Sequence, residues 1–514
     1  MTETMIPPQQ QDHGGKSSKG NQGPSQADVL YFMGKRDYRL LRHAQQLYAV
    51  PVEGPPIARP CRAKGGGGAT GSLRQMLARD YARETGKVPS QSALADVLNM
   101  FEADGMDAGE EIVSLRVAAD PDDSNASWLD LGRGDGLSAR VDSTGWCVIA
   151  PDPAVGPLWR RSRLVGELPI PDRPQGDWAT ELEKLRELLP VTDKTWPMLV
   201  AWLLAALRHD MPRPVAYLTG ESGTGKSTSG RMCLRLIDGA NAPLRSVPRD
   251  EDDLAVTTAA GWVLALDNLS GIPMWLSDAL CRVVTGDAQT KRELFTDDDV
   301  HLLVFQRPIL LTGIDIGALK GDLSERMLPI ELAAIPNDQR KTERKLWNAY
   351  REQHPAILGG LLELASLVWA ALPLAAEQLT NRSRMADWCE LLWALDHVTG
   401  WKTLEAYEGV QDSMVDDVIE GDPVASAVYR WAHLSLTPAV WTGKPAELLE
   451  LLPQPAFGSE AAKGWPRTAT GLGHRLTRAA PVLRKRGVDI RRLERGQAAR
   501  GQRGYQITID KSAR

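Results

Sequence analysis

Apolar positions along this chain change their spacing several times, and each change predicts a different kind of element. From residue 72 to 104 they recur at helical intervals: Leu73, Met76, Leu77 and Tyr81, then, after Pro89 and Ser90, Leu94, Val97, Leu98 and Phe101 on one face. Between 111 and 150 they form short alternating runs: Ile112 to Val117, Ser127 to Leu131, Leu137 to Val141 and Gly145 to Ile149. Gly/Asp turns separate these runs, which predicts a β-meander. A proline-rich stretch, Pro151 to Pro174, comes next. Helical spacing then returns with Leu182, Leu185, Leu188 and Leu189 and continues from Trp202 to Leu207. Past residue 215 strand-like apolar runs alternate with helical stretches, which is α/β patterning. Residues 338–420 read as helical, and the remainder as a separate small domain.

The expected layout is a disordered polar tail (1–27), an N-terminal α+β accessory domain (28–175), an α/β core with its preceding helices (176–336), a helical region (337–420) and a basic C-terminal domain (421–514). The run from Lys64 to Gly71 reads as a flexible linker. It is glycine-rich but lacks a Lys-Ser/Thr pair and a preceding strand. The longest apolar stretch, Ile357 to Ala376, carries Glu363, two glycines and a proline, so a buried helix is expected and no membrane partner. Over 514 residues the formal net charge is −6, with 43% hydrophobic and 25% charged residues, so the whole molecule is not a generic polyanion binder. Cys61, Cys147, Cys233, Cys281 and Cys389 are scattered and form no C-x-x-C pair. That argues against a disulfide framework or zinc site and for a reducing, cytoplasmic setting.

The chemistry concentrates in Gly220-Glu221-Ser222-Gly223-Thr224-Gly225-Lys226-Ser227-Thr228, which follows the apolar run Val215 to Leu218. It fits G-x-x-x-x-G-K-[ST], the phosphate-binding loop. The three glycines let the backbone curl until its N–H groups face an anion. A helix opening at Lys226 adds its positive dipole end. Lys226 is placed to reach the β and γ phosphates of ATP, and the Ser227 hydroxyl to ligate Mg2+. Forty residues after Ser227, the strand-like run Gly261 to Leu266 ends in Asp267, a second metal-side candidate, followed by Asn268. Arg307 to Asp315 supplies another apolar strand with Thr312 near its polar end, and Gly321 to Leu332 places Arg326 before an apolar segment.

This order of motifs resembles the superfamily 3 helicase branch of the AAA+ ATPases. It looks most like the ATPases of actinobacterial phages and integrative elements, related to phage and poxvirus primase-helicases. The resemblance implies that Gly220 to Ser227 is Walker A and that Asp267 ends Walker B. Thr285 to Thr296 is similar to a DNA-facing hairpin in the channel of a ring, with Lys291 and Arg292 as its basic residues. Thr312 corresponds to sensor 1. Arg326 matches an arginine finger acting across a subunit interface, which implies self-association into a ring, a hexamer by that likeness. Asn268 stands where the family carries a glutamate and Thr312 where it carries an asparagine, so the resemblance implies ATP binding and leaves the hydrolysis rate open.

The C-terminal stretch 464–514 holds thirteen Lys/Arg against three Asp/Glu. Its order, helix (Pro445 to Leu452), helix (Thr468 to Ala480), strand (Val488 to Ile490), basic turn (Arg495 to Gly504) and strand (Tyr505 to Ile509), resembles a winged helix. Arg475 and Arg478 point outward on the second helix, toward DNA. Asp120, Asp122 and Asp123 lie in a loop with no matching histidine, so no primase activity is expected. The leading expectation is a DNA-dependent ATPase on single-stranded or forked DNA. The alternative is a nucleotide-switched DNA-binding regulator with little turnover.

Overall fold

The computed structural model describes residues 24–62, 71–152, 156–239, 243–286, 288–292, 300–304, 306–313, 321–379, 385–435, 439–456, 464–493 and 504–510, with the side chains of 288–292 and 300–304 outside the description. Residues 1–23 of the expected tail, most of the glycine linker, Asp315 and most of the Arg495 to Gly504 turn lie outside the described residues. Two compact units are present. One comprises Met1–Glu53 and Arg59–Glu111, the other Gly54–Ala58 and Ile112–Arg514.

The first unit contains three helices, Gln26–Asp37, Leu73–Thr85 and Gln91–Asp104, and a small antiparallel sheet of Tyr38–His43, Gln46–Pro51 and Arg59–Pro60. Ser25, Ser72 and Ser90 cap the three helices by accepting a first-turn backbone N–H, each such cap stabilising by about 1 kcal/mol. The first helix therefore begins inside the stretch expected to be tail. Leu73, Leu77, Leu94, Val97, Leu98 and Phe101 close its core.

The accessory domain expected to run to residue 175 is divided at residue 111. The meander Val117–Ala119, Ser127–Asp130, Ser138–Asp142 and Gly145–Ile149 forms as read, but in the second unit. Leu129, Leu131, Val141 and Trp146 share one core with the α/β sheet. A buried arginine fixes that junction. The Arg116 guanidinium donates to the carbonyls of Asp130 (2.5 Å), Gly166 (2.6 Å) and Asp238 (2.6 Å) and lies 3.6 Å from the Asp238 carboxylate. Burial lowers the pKa of Arg116 and raises that of Asp238, and each charge opposes the shift of the other.

In the second unit the central sheet has four parallel strands: β1 (Val215–Thr219), β2 (Leu264–Leu269), β3 (Ile309–Gly313) and β4 (Met327–Glu331). Their order is β2–β3–β1–β4. All five β3 residues are buried, as a strand inside a parallel sheet requires. Helix α1 (Lys226–Asp238) follows β1, and α2 (Met274–Thr285) follows β2. Beneath them the helix Trp196–Ala206 is buried on every side.

Helix α3 (Glu343–Gln378) contains the long apolar stretch. It is long and apolar enough to cross a membrane, yet its apolar window is 67% buried within the protein. A Cβ on Gly359 would stand 1.8 Å from the Asp172 carbonyl oxygen, so only glycine lets that strap lie against the helix. The C-terminal region forms its own core. There α4 (Ala469–Arg484) packs against an antiparallel sheet of β5 (Val440–Gly443), β6 (Val488–Leu493) and β7 (Gly504–Ile509), ordered β5–β7–β6. The helix continues through Pro481, beyond the end expected at Ala480, and β5 went unread in the sequence.

His354 on α3 is buried, with its ring 4.9 Å from that of Tyr350, and burial pushes its pKa down to about 4. The fold favours the neutral ring, whereas the unfolded chain takes up a proton near pH 6.5. This contribution is complete above pH 6.5 and is lost as pH falls toward 4. It amounts to about 3 kcal/mol across that window. Denaturation midpoints measured from pH 7 to 4 should fall less steeply in His354→Leu than in the native chain.

Candidate functional site

The loop between β1 and α1 has the backbone that its glycines predict. Gly220, Gly223 and Gly225 have φ of 152°, 82° and 80°. A Cβ at Gly220 would stand 2.8 Å from the Leu332 carbonyl oxygen. Glu221, Ser222 and Gly223 are exposed, while Thr224 is buried and donates its hydroxyl to the Glu221 carbonyl at 3.0 Å. Gly225 is the N-cap of α1 and offers no side-chain acceptor, so the N–H groups of the first turn, Lys226 to Thr228, carry no side-chain cap. The half-buried Lys226 ammonium folds over its own loop and donates to the carbonyls of Gly220 (2.8 Å) and Glu221 (2.7 Å).

Two strands and the first turn of α1 converge beside this loop. Ser227 donates its hydroxyl to Asp267 Oδ1 at 2.8 Å. Thr312 at the tip of β3 donates to the same oxygen, and its own oxygen accepts the Asn268 N–H at 3.0 Å. Thr312 and Ser227 thus reach the same Asp267 oxygen from two different elements, β3 and α1. Asp267 does not end its strand as expected. β2 runs on to Leu269 through a register shift between Leu266 and Leu269. Asn268 takes φ +56° there, a left-handed conformation that asparagine tolerates better than most residues. Its side chain is exposed. Asn268 therefore occupies a bulge, and its backbone N–H, not its side-chain amide, makes the observed bond.

The groups present suit Mg-ATP. An uncapped helix start, an ammonium and left-handed glycines face the place of an anion, while one carboxylate and one hydroxyl meet at its side. Magnesium is commonly held by one or two carboxylates together with substrate phosphates, not by a full protein cage. Among the described residues no group of three or more His, Cys, Asp or Glu is placed to hold a metal.

Arg326 closes a short 3-10 turn, Gly321–Arg326, and is buried. Its guanidinium donates to the Asp322 carbonyl at 3.0 Å and lies 3.9 Å from Cys281 Sγ on α2, so it faces this chain's own interior. Lys291 and Arg292 fall on a hairpin of Ala288–Arg292 with Val300–Val304, opposite His301 and Val300; their side chains lie outside the described residues. On α4, Arg475 lies 3.5 Å from Asp422, whereas Arg478 is exposed.

Residues that the sequence reading missed also reach the loop. A Cβ at Gly225 would lie 3.7 Å from Ile335 Cδ1, and one at Gly223 would lie 3.7 Å from Arg340 Nη2. Both residues follow β4. The basic run Arg340 to Lys345 was visible in the chain, but its position over the loop was not.

The sheet order and this loop define an α/β fold of the nucleotide-hydrolase kind. Residues 183–417 match the family model described as actinomycete integrative conjugative element replication protein, and residues 424–514 match that of the AICE RepA C-terminal domain. The chain is thus similar to replication proteins of integrative conjugative elements through its sheet, its helices and its tail. No curated protein matches it. Among solved structures it aligns with the apo C-terminal region of NrS-1 (TM-score 0.40, 11% identity, 94% of this chain and 98% of that one). It also aligns with the active helicase Cch of SCCmec type IV (TM-score 0.44, 11% identity, 92% and 93%).

Thr312→Val keeps the shape of the side chain but strips the Asn268 N–H of its acceptor and Asp267 of a donor. The expected cost is about 1–3 kcal/mol, read as a lowered denaturation midpoint, with Thr312→Ser close to the native chain.

Proposed function

We propose that this chain is a DNA-dependent ATPase of the superfamily 3 type, working as a ring in the replication of a mobile element. The observation that carries the reading is the meeting of Ser227, Asp267 and Thr312 beside the glycine loop. The match to replication-protein family models supports its biological setting.

In this reading the loop N–H groups from Gly220 to Thr228 and the Lys226 ammonium hold the phosphate tail. Lys226 exchanges its two carbonyl acceptors for phosphate oxygens. Ser227 and Asp267 hold magnesium, which when bound neutralises charge on the β and γ phosphates. Thr312 keeps the Asp267 carboxylate turned toward Ser227. Arg326 serves a neighbouring subunit's site, and ring assembly draws it away from Asp322 and Cys281. An arginine supplied in this way raises phosphoryl-transfer rates by about a thousandfold or more.

The hairpin with Lys291 and Arg292 is read as one DNA contact and the tail as another. Two helices and a three-stranded sheet, with the basic turn between its last two strands, suit a winged helix. Arg478 stands toward DNA on α4, and Arg475 joins it by leaving Asp422. A specific observation favours the second reading, a nucleotide-driven switch with little turnover: Asn268 stands in a left-handed bulge, exposed, in place of a carboxylate base.

Lys226→Ala should abolish ATP turnover, and single-stranded DNA should raise turnover in the native chain. Tight nucleotide binding with no turnover, with or without DNA, selects the switch. Removing residues 440–514 should lower DNA affinity and make it less dependent on salt, since each lost phosphate contact reduces the log–log slope by about 0.9 on duplex DNA. Unchanged affinity would remove the tail from the DNA site.

A further inference from the structure

Asp267 and Thr312 lie on one side of β1, and β4 with the segment after it lies on the other. With the terminal phosphate at Asp267, a phosphate tail laid back along the loop would carry the ribose and base toward the β4 side. The segment after β4 crosses there. Leu332 N–H bonds to the Thr219 carbonyl at 2.8 Å, Ile335 and Arg340 pass beside Gly225 and Gly223, and α3 then begins at Glu343.

Between the middle and last turns of α1 and the first turns of α3 lies an open cleft of about 630 Å³. That volume is within the range of about 300–1,000 Å³ typical of small-molecule sites. Arg231, Arg235, Glu343, Arg344, Trp347 and Arg351 line it. Arg231 links it to the end of the phosphate loop: its Nη2 lies 3.4 Å from the Thr228 hydroxyl and 3.3 Å from Glu343 Oε1. Trp347 Nε1 donates to that same carboxylate oxygen at 3.3 Å. The Arg235 and Arg231 guanidinium groups lie 4.3 Å and 5.9 Å from the centre of the Trp347 ring. One carboxylate thus orients both the indole and the arginine nearest the loop.

We infer that this cleft is the nucleoside subsite of the phosphate loop, with the base stacked on Trp347 and Arg231 placed between base and phosphates. The inference rests on the loop reading above and adds to it the residues that recognise the rest of the nucleotide. A half-buried indole backed by guanidinium groups is a stacking platform for a base. Glu343 is an acceptor for ribose hydroxyls or a base amino group. The surplus of arginine over acid favours a ligand carrying phosphate.

The experiment compares ATP with inorganic tripolyphosphate, which has the tail and no nucleoside, both with magnesium. Trp347→Ala should weaken ATP binding about tenfold, within the range of base–aromatic stacking, and leave tripolyphosphate affinity unchanged. Trp347→Phe should recover most of the loss. Lys226→Ala should weaken both ligands. If native protein binds neither ligand, the loop reading fails and takes this one with it. If Lys226→Ala weakens both while Trp347→Ala changes neither, or changes both equally, the loop reading stands and the subsite is overturned. Loss of single-stranded DNA affinity in Trp347→Ala with ATP affinity intact also overturns it, in favour of a strand-binding surface. A second measurement needs no variant. Photolabelling the native chain with 8-azido-ATP should mark the peptide 340–351, and labelling confined to other peptides overturns the assignment.

Discussion

The Asp267 carboxylate oxygen that accepts both the Ser227 and Thr312 hydroxyls is the point on which the site depends. A carboxylate at a strand tip is free to rotate toward water. Two hydroxyl donors on one oxygen, from two other elements, remove that freedom and fix the distance between the loop and β2. Topology permits this: β3 pairs directly with β2 in the observed sheet order, which brings Thr312 to the Asp267 carboxylate. Asn268 completes the arrangement by giving its N–H to Thr312 from a left-handed backbone conformation.

The sheet needs support from behind to hold those tips in register, and much of it comes from residues far away in sequence. Arg116 ties the meander to the last residue of α1 through carbonyl oxygens, which stay acceptors at any pH. A fully buried guanidinium is costly unless its donors are satisfied, and here three backbone oxygens take its Nη donors, while Nε faces the Asp238 carboxylate at 3.6 Å without a hydrogen bond. Movement of the meander and of α1 is thereby linked. On the other side, α3 combines two tasks: its middle is core, while its first turns bring Glu343 and Trp347 against Arg231 and Arg235 of α1.

Arg326 illustrates how a candidate residue can be legible while its surroundings are not. Its place before an apolar strand was readable. The structure directs the guanidinium inward, onto Asp322 and Cys281, within a single chain. A residue whose proposed partner is another subunit has no reason to extend until that subunit is present, since an isolated guanidinium takes the nearest acceptors. The tail behaves similarly. Its positive charge was plain in the chain, yet Arg475 is held near Asp422, Lys485 pairs with Glu325 and Arg486 with Asp412 and Asp416. Part of the charge that composition assigned to DNA is used to dock the tail.

By itself the sequence determined the local features: the glycine loop, the helix opening after it, the alternating strands of the meander and the capped helices before residue 105. Those depend on backbone freedom, capping and side-chain period, which act over a few residues. Only the tertiary structure decided which strands adjoin. It also decided that the meander belongs with the sheet instead of with the N-terminal helices, and that the segment after β4 folds over the loop. Period and propensity are blind to those choices because they turn on distant contacts: Thr312 with Asp267, Arg116 with Asp238, Arg231 with Glu343. Residues such as Ile335 and Arg340 come to lie beside the loop only when a strand far along the chain brings them there.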